Sequence, residues 1–184
     1  FTAALGGYRK AADQGDAMGQ HNLGYMYHKG QGVVRDFKAA LVWYRKAADQ
    51  GDAGAQCNLG VMYENGQGVA QDFKAALVWY RKAADQGDAG AQFNLGLIYH
   101  HGQGVAQDFK AALVWFRKAA DQGDAGAQFN LGYMYKNGQG VTRDFKAALV
   151  WYRKAADQGD AGAQCNLGHI YHHGQGEAQD FKAA

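Results

Sequence analysis

Histidine is the residue with most capacity for chemistry in this 184-residue chain. His169, His172 and His173 stand at i, i+3 and i+4, a spacing that lets two imidazoles on one helix face share a metal ion. His100 and His101 form a second pair two periods of an internal 36-residue repeat earlier. On helices packed at roughly 8–10 Å per neighbour, the two groups are on the order of 20 Å apart and cannot form one site. Neither has a third ligand close by, so both read as solvated histidines, and no metal or other cofactor is expected. Cys57 and Cys165 lie at equivalent places three periods apart, far beyond the roughly 7 Å between Cα atoms that a disulfide tolerates. They read as free thiols acting as small apolar fillers. A nucleophilic cysteine needs a positioned base, and the nearest, His21, is one repeat away with no group to orient it. The Gly-Gln-Gly turns lack the Lys-Ser/Thr that follows in a phosphate loop. Asp49 and Asp52 are explained by helix capping without acid–base work. No catalytic constellation emerges.

The elements that carry these residues come from the repeat. Phe37, Phe73, Phe109 and Phe145 are spaced by 36, as are Trp43, Trp79, Trp115 and Trp151, and the blocks 37–72 and 73–108 agree at 31 of 36 positions. Such a period marks a stacked array in which no unit buries its apolar face alone. Each period holds two helical patterns divided by glycine. In the first, Asp36 is placed to cap, Phe37, Leu41, Tyr44 and Ala48 form one apolar stripe, and Gly51 stops the helix. In the second, Asp52 caps, Leu59, Met62 and Tyr63 are apolar, and Gly66 stops. Gly60 inside that helix costs about 1 kcal/mol against Ala. It marks a point where the paired helices come too close for a β-carbon. The tryptophans, Leu59 and Tyr63 are expected to be mostly buried.

The string WYRKAADQGDAGAQCNLGVMYENGQGVAQDFKAA closely resembles the Sel1-like repeat, a relative of the tetratricopeptide repeat. The matching parts are WYRKAA, the A-x-A-Q-x-N-L-G-x-M-Y core and the G-x-G-V turn before D-x-x-K-A. The resemblance covers residues 1–184 as a single array of about five repeats. It implies an all-α fold, a right-handed superhelix of paired antiparallel helices, A then B. It further implies a non-catalytic adaptor or scaffold whose partner is a protein or peptide. Two departures stand out. Many members carry Pro after the G-x-G-V turn, where this chain has Val34, Ala70, Ala106, Thr142 and Ala178, and the cysteine pair of the disulfide-stapled branch is missing. On this phasing, A helices fall near 17–29, 53–65, 89–101, 125–137 and 161–173. B helices fall near 37–50, 73–86, 109–122 and 145–158. Residues 1–14 read as a further B helix, and Phe181–Ala184 as the first turn of another.

Differences between copies concentrate on helix A. Positions 57, 61, 64 and 65 fall within an arc of roughly 100° on a helix with 3.6 residues per turn, opposite Leu59 and Tyr63. One row reads His21, Cys57, Phe93, Phe129 and Cys165. The next reads Tyr25, Val61, Leu97, Tyr133 and His169. The outer rows are His28, Glu64, His100, Lys136 and His172, then Lys29, Asn65, His101, Asn137 and His173. The stripe resembles the ligand-reading face that lines the concave groove of tetratricopeptide-like arrays. Asn22, Asn58, Asn94, Asn130 and Asn166 edge it, and in related repeats an asparagine there bonds ligand backbone. Drift at unconstrained positions, or an architectural or designed array with no ligand, is the competing reading of the stripe. A bond between helices is the competing reading of the asparagines. Phe93, Leu97, Phe129 and Tyr133 are the expected apolar anchors.

Composition bounds the rest. With 47% hydrophobic and 20% charged residues the chain is suited to a packed core and not to disorder. Its 27 glycines do not recur at every third residue, and no apolar run reaches the roughly 20 residues of a membrane span. The net charge of +2 neither demands nor excludes nucleic acid. Arg45-Lys46 and its copies could form a basic ridge, but Asp49, Asp52 and Asp72 interleave, and no nucleic acid is expected. These residues contain no signal peptide pattern and assign no compartment. The final A helix, around Leu167, Ile170 and Tyr171, is expected to expose apolar surface that the first segment of a second copy could cover, giving head-to-tail self-association.

Overall fold

Apolar residues at i, i+4, i+7 and i+11 favour helix, and helices are what form. A computed structural model describes residues 2–175. Among these the chain forms ten α-helices and no strand. They are α1 (Thr2–Asp13), α2 (Ala17–Lys29), α3 (Phe37–Asp49), α4 (Ala53–Asn65), α5 (Phe73–Asp85), α6 (Ala89–His101), α7 (Phe109–Asp121), α8 (Ala125–Asn137), α9 (Phe145–Asp157) and α10 (Ala161–His172). The even-numbered helices are the A helices and the odd-numbered the B helices, and their bounds match the expected ones to within a residue or two. The B helix expected from Phe181 lies outside the described residues. The chain divides within α6 into two compact units, Phe1–Leu95 with Gln103–Val105, and Gly96–Gly102 with Ala106–Ala184.

Local chemistry sets the helix ends. Asp36 accepts from Ala39 N–H at 3.0 Å and Asp52 from Ala55 N–H at 2.6 Å, caps of about 1 kcal/mol each. The A helix α4 ends at Gly66, φ +65°, a left-handed conformation that costs a residue with a β-carbon about 1–2 kcal/mol.

The core of the first unit joins Ala40, Tyr44 and Ala47 to Ala55, Leu59 and Met62. That of the second joins Ala148, Tyr152 and Ala155 to Ala163 and Ile170. Helix pairs lock through one device. A β-carbon on Gly60 of α4 would stand 2.5 Å from the ring of Tyr80 on α5. Gly24 faces Tyr44, Gly96 faces Phe116 and Gly132 faces Tyr152 in the same way. The close approach expected at Gly60 is therefore real, and its partner is an aromatic ring of the paired B helix.

Neighbouring repeats are tied by amides. Gln56, 5% exposed, donates to Ala48 O at 3.2 Å and accepts from Gln86 at 2.8 Å. Gln20 and Gln128 stand in the same relation to Ala12 O and Ala120 O, with Gln50 and Gln158 as donors.

Two expectations need correction. Trp115 and Trp151 are buried at 6% and 7%, but Trp43, Trp79 and Tyr63 are only half-buried. Cations lie over the indole in buried and half-buried copies alike, with Lys118 4.2 Å from the Trp115 ring and Lys154 4.2 Å from that of Trp151. Lys46 lies 4.1 Å above the Trp43 ring, and Trp79 sits between Arg45 at 5.7 Å and Lys82 at 4.4 Å. On α10, Ile170 is fully buried, Leu167 is half-buried, and only Tyr171 of that trio is exposed.

Candidate protein-interaction face

The A helices present the variable rows, and each row has its own environment. His21 is half-buried, donates from Nδ1 to Asp52 at 2.9 Å, and accepts at Nε2 from Asn58 at 3.2 Å. Cys57 takes the same place one repeat on. Burial, reinforced by the Asp88 carboxylate, pushes its thiol up to about 12, so it is not a thiolate nucleophile at neutral pH. Phe93 is half-buried, and the Phe129 ring packs 5.7 Å from that of Tyr152. Cys165 is exposed. This row is largely a seam between successive A helices.

The row of position 28 is also occupied. His28 donates from Nε2 to Gln67 at 3.1 Å with the Tyr44 hydroxyl 3.5 Å from Nδ1, and burial lowers its pKa. Glu64 accepts from the Tyr80 hydroxyl at 2.6 Å. His100 donates to Gln139 at 3.0 Å, and Lys136 to Asn166 at 2.8 Å. His172 is exposed, its ring 5.1 Å from that of His173. The asparagines take local partners as well. Asn130 and Asn166 donate to Gly126 O and Gly162 O one turn back on their own helices, at 2.8 and 2.9 Å. Asn94 faces Cys57.

Two rows remain open. Tyr25 and Tyr133 are 41% and 40% exposed, Val61 and Leu97 are half-buried, and His169 is exposed. Beside them Lys29, Asn65, His101, Asn137 and His173 all face solvent, with Asn65, Asn137 and His173 each bonded to a carbonyl one turn back, Val61 O and Tyr133 O at 2.9 Å and His169 O at 2.8 Å. This mixture of aromatic rings, imidazoles and amides can hold a peptide by apolar contact and hydrogen bonds. Among the described residues no three metal-ligating side chains converge.

On the B helices the basic pairs are engaged. Arg45 donates to the Tyr63 hydroxyl, Arg117 donates to the Tyr135 hydroxyl at 2.6 Å, and Arg117 also lies 4.9 Å above the Trp151 ring. Sequence reasoning missed two things. One is the buried glutamines, visible as a polar residue recurring on an apolar face. The other is Arg35 and Arg143, which stand where the blocks 37–72 and 73–108 carry Gln71 and Gln107.

Comparisons with known proteins bear on the repeat and the fold. Residues 8–16, 17–52, 53–88, 89–124, 125–160 and 161–184 match the model of the Sel1 repeat. The chain belongs to the Sel1 repeat family. Its fold matches solved Sel1-repeat solenoids. One is a protective antigen of uropathogenic Escherichia coli displaying an SLR fold, 44% identical, TM-score 0.91, covering 94% of this chain. A Sel1 repeat protein from Oxalobacter formigenes is 38% identical, with a TM-score of 0.84 over 93% of this chain and 70% of its own. The cysteine rich protein B of Helicobacter pylori is 26% identical, with a TM-score of 0.58 over 72% of this chain and 96% of its own. This chain spans 37% of the length of the E. coli protein. No curated protein matches. Sel1 repeat proteins generally act as protein-interaction scaffolds and are generally non-catalytic. No described helix is long and apolar enough to cross a membrane.

Proposed function

We propose that this Sel1 repeat chain is a non-catalytic scaffold that holds an extended peptide or protein segment on its A-helix face. The observation that carries the reading is an exposed tyrosine in each unit, Tyr25 in the first and Tyr133 in the second. These rings sit at one register, one in each unit, two-fifths exposed among residues that face solvent. Large aromatics at the centre of a contact provide most of its energy. In the first unit Val61 extends the apolar surface at the register of Tyr25, with Lys29 as a donor for ligand backbone, and in the second Leu97 does so at the register of Tyr133, with His101 and His169 as donors and acceptors. The rows of positions 21 and 28 support the face from beneath, because their side chains already bind neighbouring repeats. Phe129, packed on Tyr152, belongs with them.

The test is a peptide selected from a displayed library against the folded array. Tyr25→Ala should weaken a peptide held by the first unit, and Tyr133→Ala one held by the second, by roughly 1–3 kcal/mol, about fivefold to more than a hundredfold in Kd. Lys118→Ala, over Trp115 on a B helix, should leave it near normal. Weakening by Lys118→Ala with none from the tyrosine variants would move the site to the B helices.

A further inference from the structure

Each unit carries a cleft at the turn from an A helix to its B helix. The first, about 570 Å³, is walled by Tyr27, Val33 and Phe37, with Arg35 and Lys38 at its rim. The second, about 460 Å³, repeats it with Tyr135, Val141, Phe145, Arg143 and Lys146. The arginine is what sets these two repeats apart. Where glutamine stands instead, it folds back onto its own A helix: Gln71 donates to Glu64 O at 2.7 Å and Gln107 to His100 O at 2.8 Å. Arg35 and Arg143 do not. Their guanidinium carbons lie 5.2 and 5.5 Å above the rings of Phe37 and Phe145. Among the described residues no hydrogen bond or ion pair holds either guanidinium or the neighbouring lysine ammonium. The nearby carboxylates of Asp36 and Asp144 are committed to capping, each accepting a backbone N–H at 3.0 Å. Arg, Lys and Asp together give each cleft a charge of +1, which Gln in place of Arg would reduce to zero.

We infer that each cleft takes the C-terminal residue of a protein partner. Its apolar side chain lies against the Tyr, Val and Phe walls, and its own α-carboxylate meets the arginine. A guanidinium stacked on a ring keeps its N–H edges outward, ready for a bidentate carboxylate pair. Spacing selects a terminal residue over an acidic side chain beside an apolar one. Charged and apolar surfaces lie about 5 Å apart, within the span of a single residue. In an extended peptide, successive side chains point to opposite sides, and the next one on the same side is about 6.5–7 Å away. This site is separate from the A-helix face and does not depend on it.

The experiment follows the Arg35 and Arg143 Nε–H signals by NMR while three probes are titrated into the whole chain. The probes are acetyl-Gly-Ser-Leu with a free carboxylate, the same peptide as its amide, and acetyl-Leu-Glu-Leu amide. The free acid should shift both signals and bind at least tenfold more tightly than either amide. The double variant R35Q/R143Q should abolish that preference, read on the backbone amides of Phe37 and Phe145. The variant keeps the fold because the same repeat already carries glutamine at 71 and 107. Tyr133→Ala should change nothing, which separates failure here from failure of the A-helix reading. Equal binding of acid and amide, or a preference that survives R35Q/R143Q, overturns the inference. Equally tight binding of the Glu-containing amide overturns the assignment to a chain terminus.

Discussion

Replacing Gly60 with alanine should destabilise the protein, and the same replacement at Gly168 should stabilise it. Both glycines lie at one register of an A helix, so their helix propensities are alike and each Gly→Ala change returns about 1 kcal/mol. Their surroundings differ. A β-carbon on Gly60 would meet Cδ1 and Cε1 of Tyr80 at 2.5 Å, whereas among the described residues one on Gly168 would meet nothing within 4 Å. Ordinary carbon–carbon contact is about 3.5–4 Å, so the Tyr80 ring must retreat by roughly 1 Å. It is fully buried, which puts the cost toward the upper end of the roughly 1–3 kcal/mol for overpacking. The net loss for G60A is about 2 kcal/mol. At roughly 2–4 °C per kcal/mol, its melting temperature should fall by about 4–8 °C, and that of G168A should rise by about 2–4 °C. Thermal melts followed by far-UV circular dichroism measure both. Because repeat arrays can open locally, hydrogen exchange should also show faster exchange in α4 and α5 of G60A. A G60A protein as stable as its parent, or a G168A protein that loses as much, would refute the ring-in-socket account.

Two further outcomes follow from the position-28 row. The folded-state pKa of His28 lies below its unfolded value of 6.5, first through burial and then through the charge of Lys29, with Arg35 adding a smaller effect against the opposing Gln67 bond. On acidification the unfolded chain takes up this proton first, so the stability tied to neutral His28 is complete above pH 6.5 and is lost as pH falls below it. His28→Gln should flatten the decline of the urea midpoint between about pH 7.5 and about pH 5.5, and identical slopes would dismiss the assignment. The second outcome concerns Phe116, which lacks the hydroxyl of Tyr44, while His100 Nδ1 is buried with no hydrogen-bond partner among the described residues. Phe116→Tyr should add up to about 1 kcal/mol of stability, and an unchanged or lower melting temperature would count against it.

Helix positions were readable because periodicity and capping act within a few residues. Asp36, Asp52 and the glycine stops mark the helix ends, and the 3.6-residue stripe marks the buried side. Neighbour identity was not readable. A helical wheel places positions 57, 61, 64 and 65 on one face, but only the packed structure shows that Glu64 is held by Tyr80 while Val61 and Tyr25 look outward. The tryptophans fail for the same reason. Their stripe is apolar in every copy, yet Trp43 and Trp79 keep part of the ring in solvent while Trp115 and Trp151 are buried.

The seam between repeats has a consequence for how the gene can change. Several variable side chains meet a partner that recurs in every copy. His21 and Cys57 meet Asp52 and Asp88, His28 and His100 meet Gln67 and Gln139, and Lys136 meets Asn166. The amide link of Gln56 to Ala48 O, and the hold of Arg45 on Tyr63, likewise use residues present in each period. Recombination that inserts or removes a whole 36-residue period therefore joins surfaces that already fit. Array length is free to vary by this step, while a change of any other size would set a variable residue against the wrong partner.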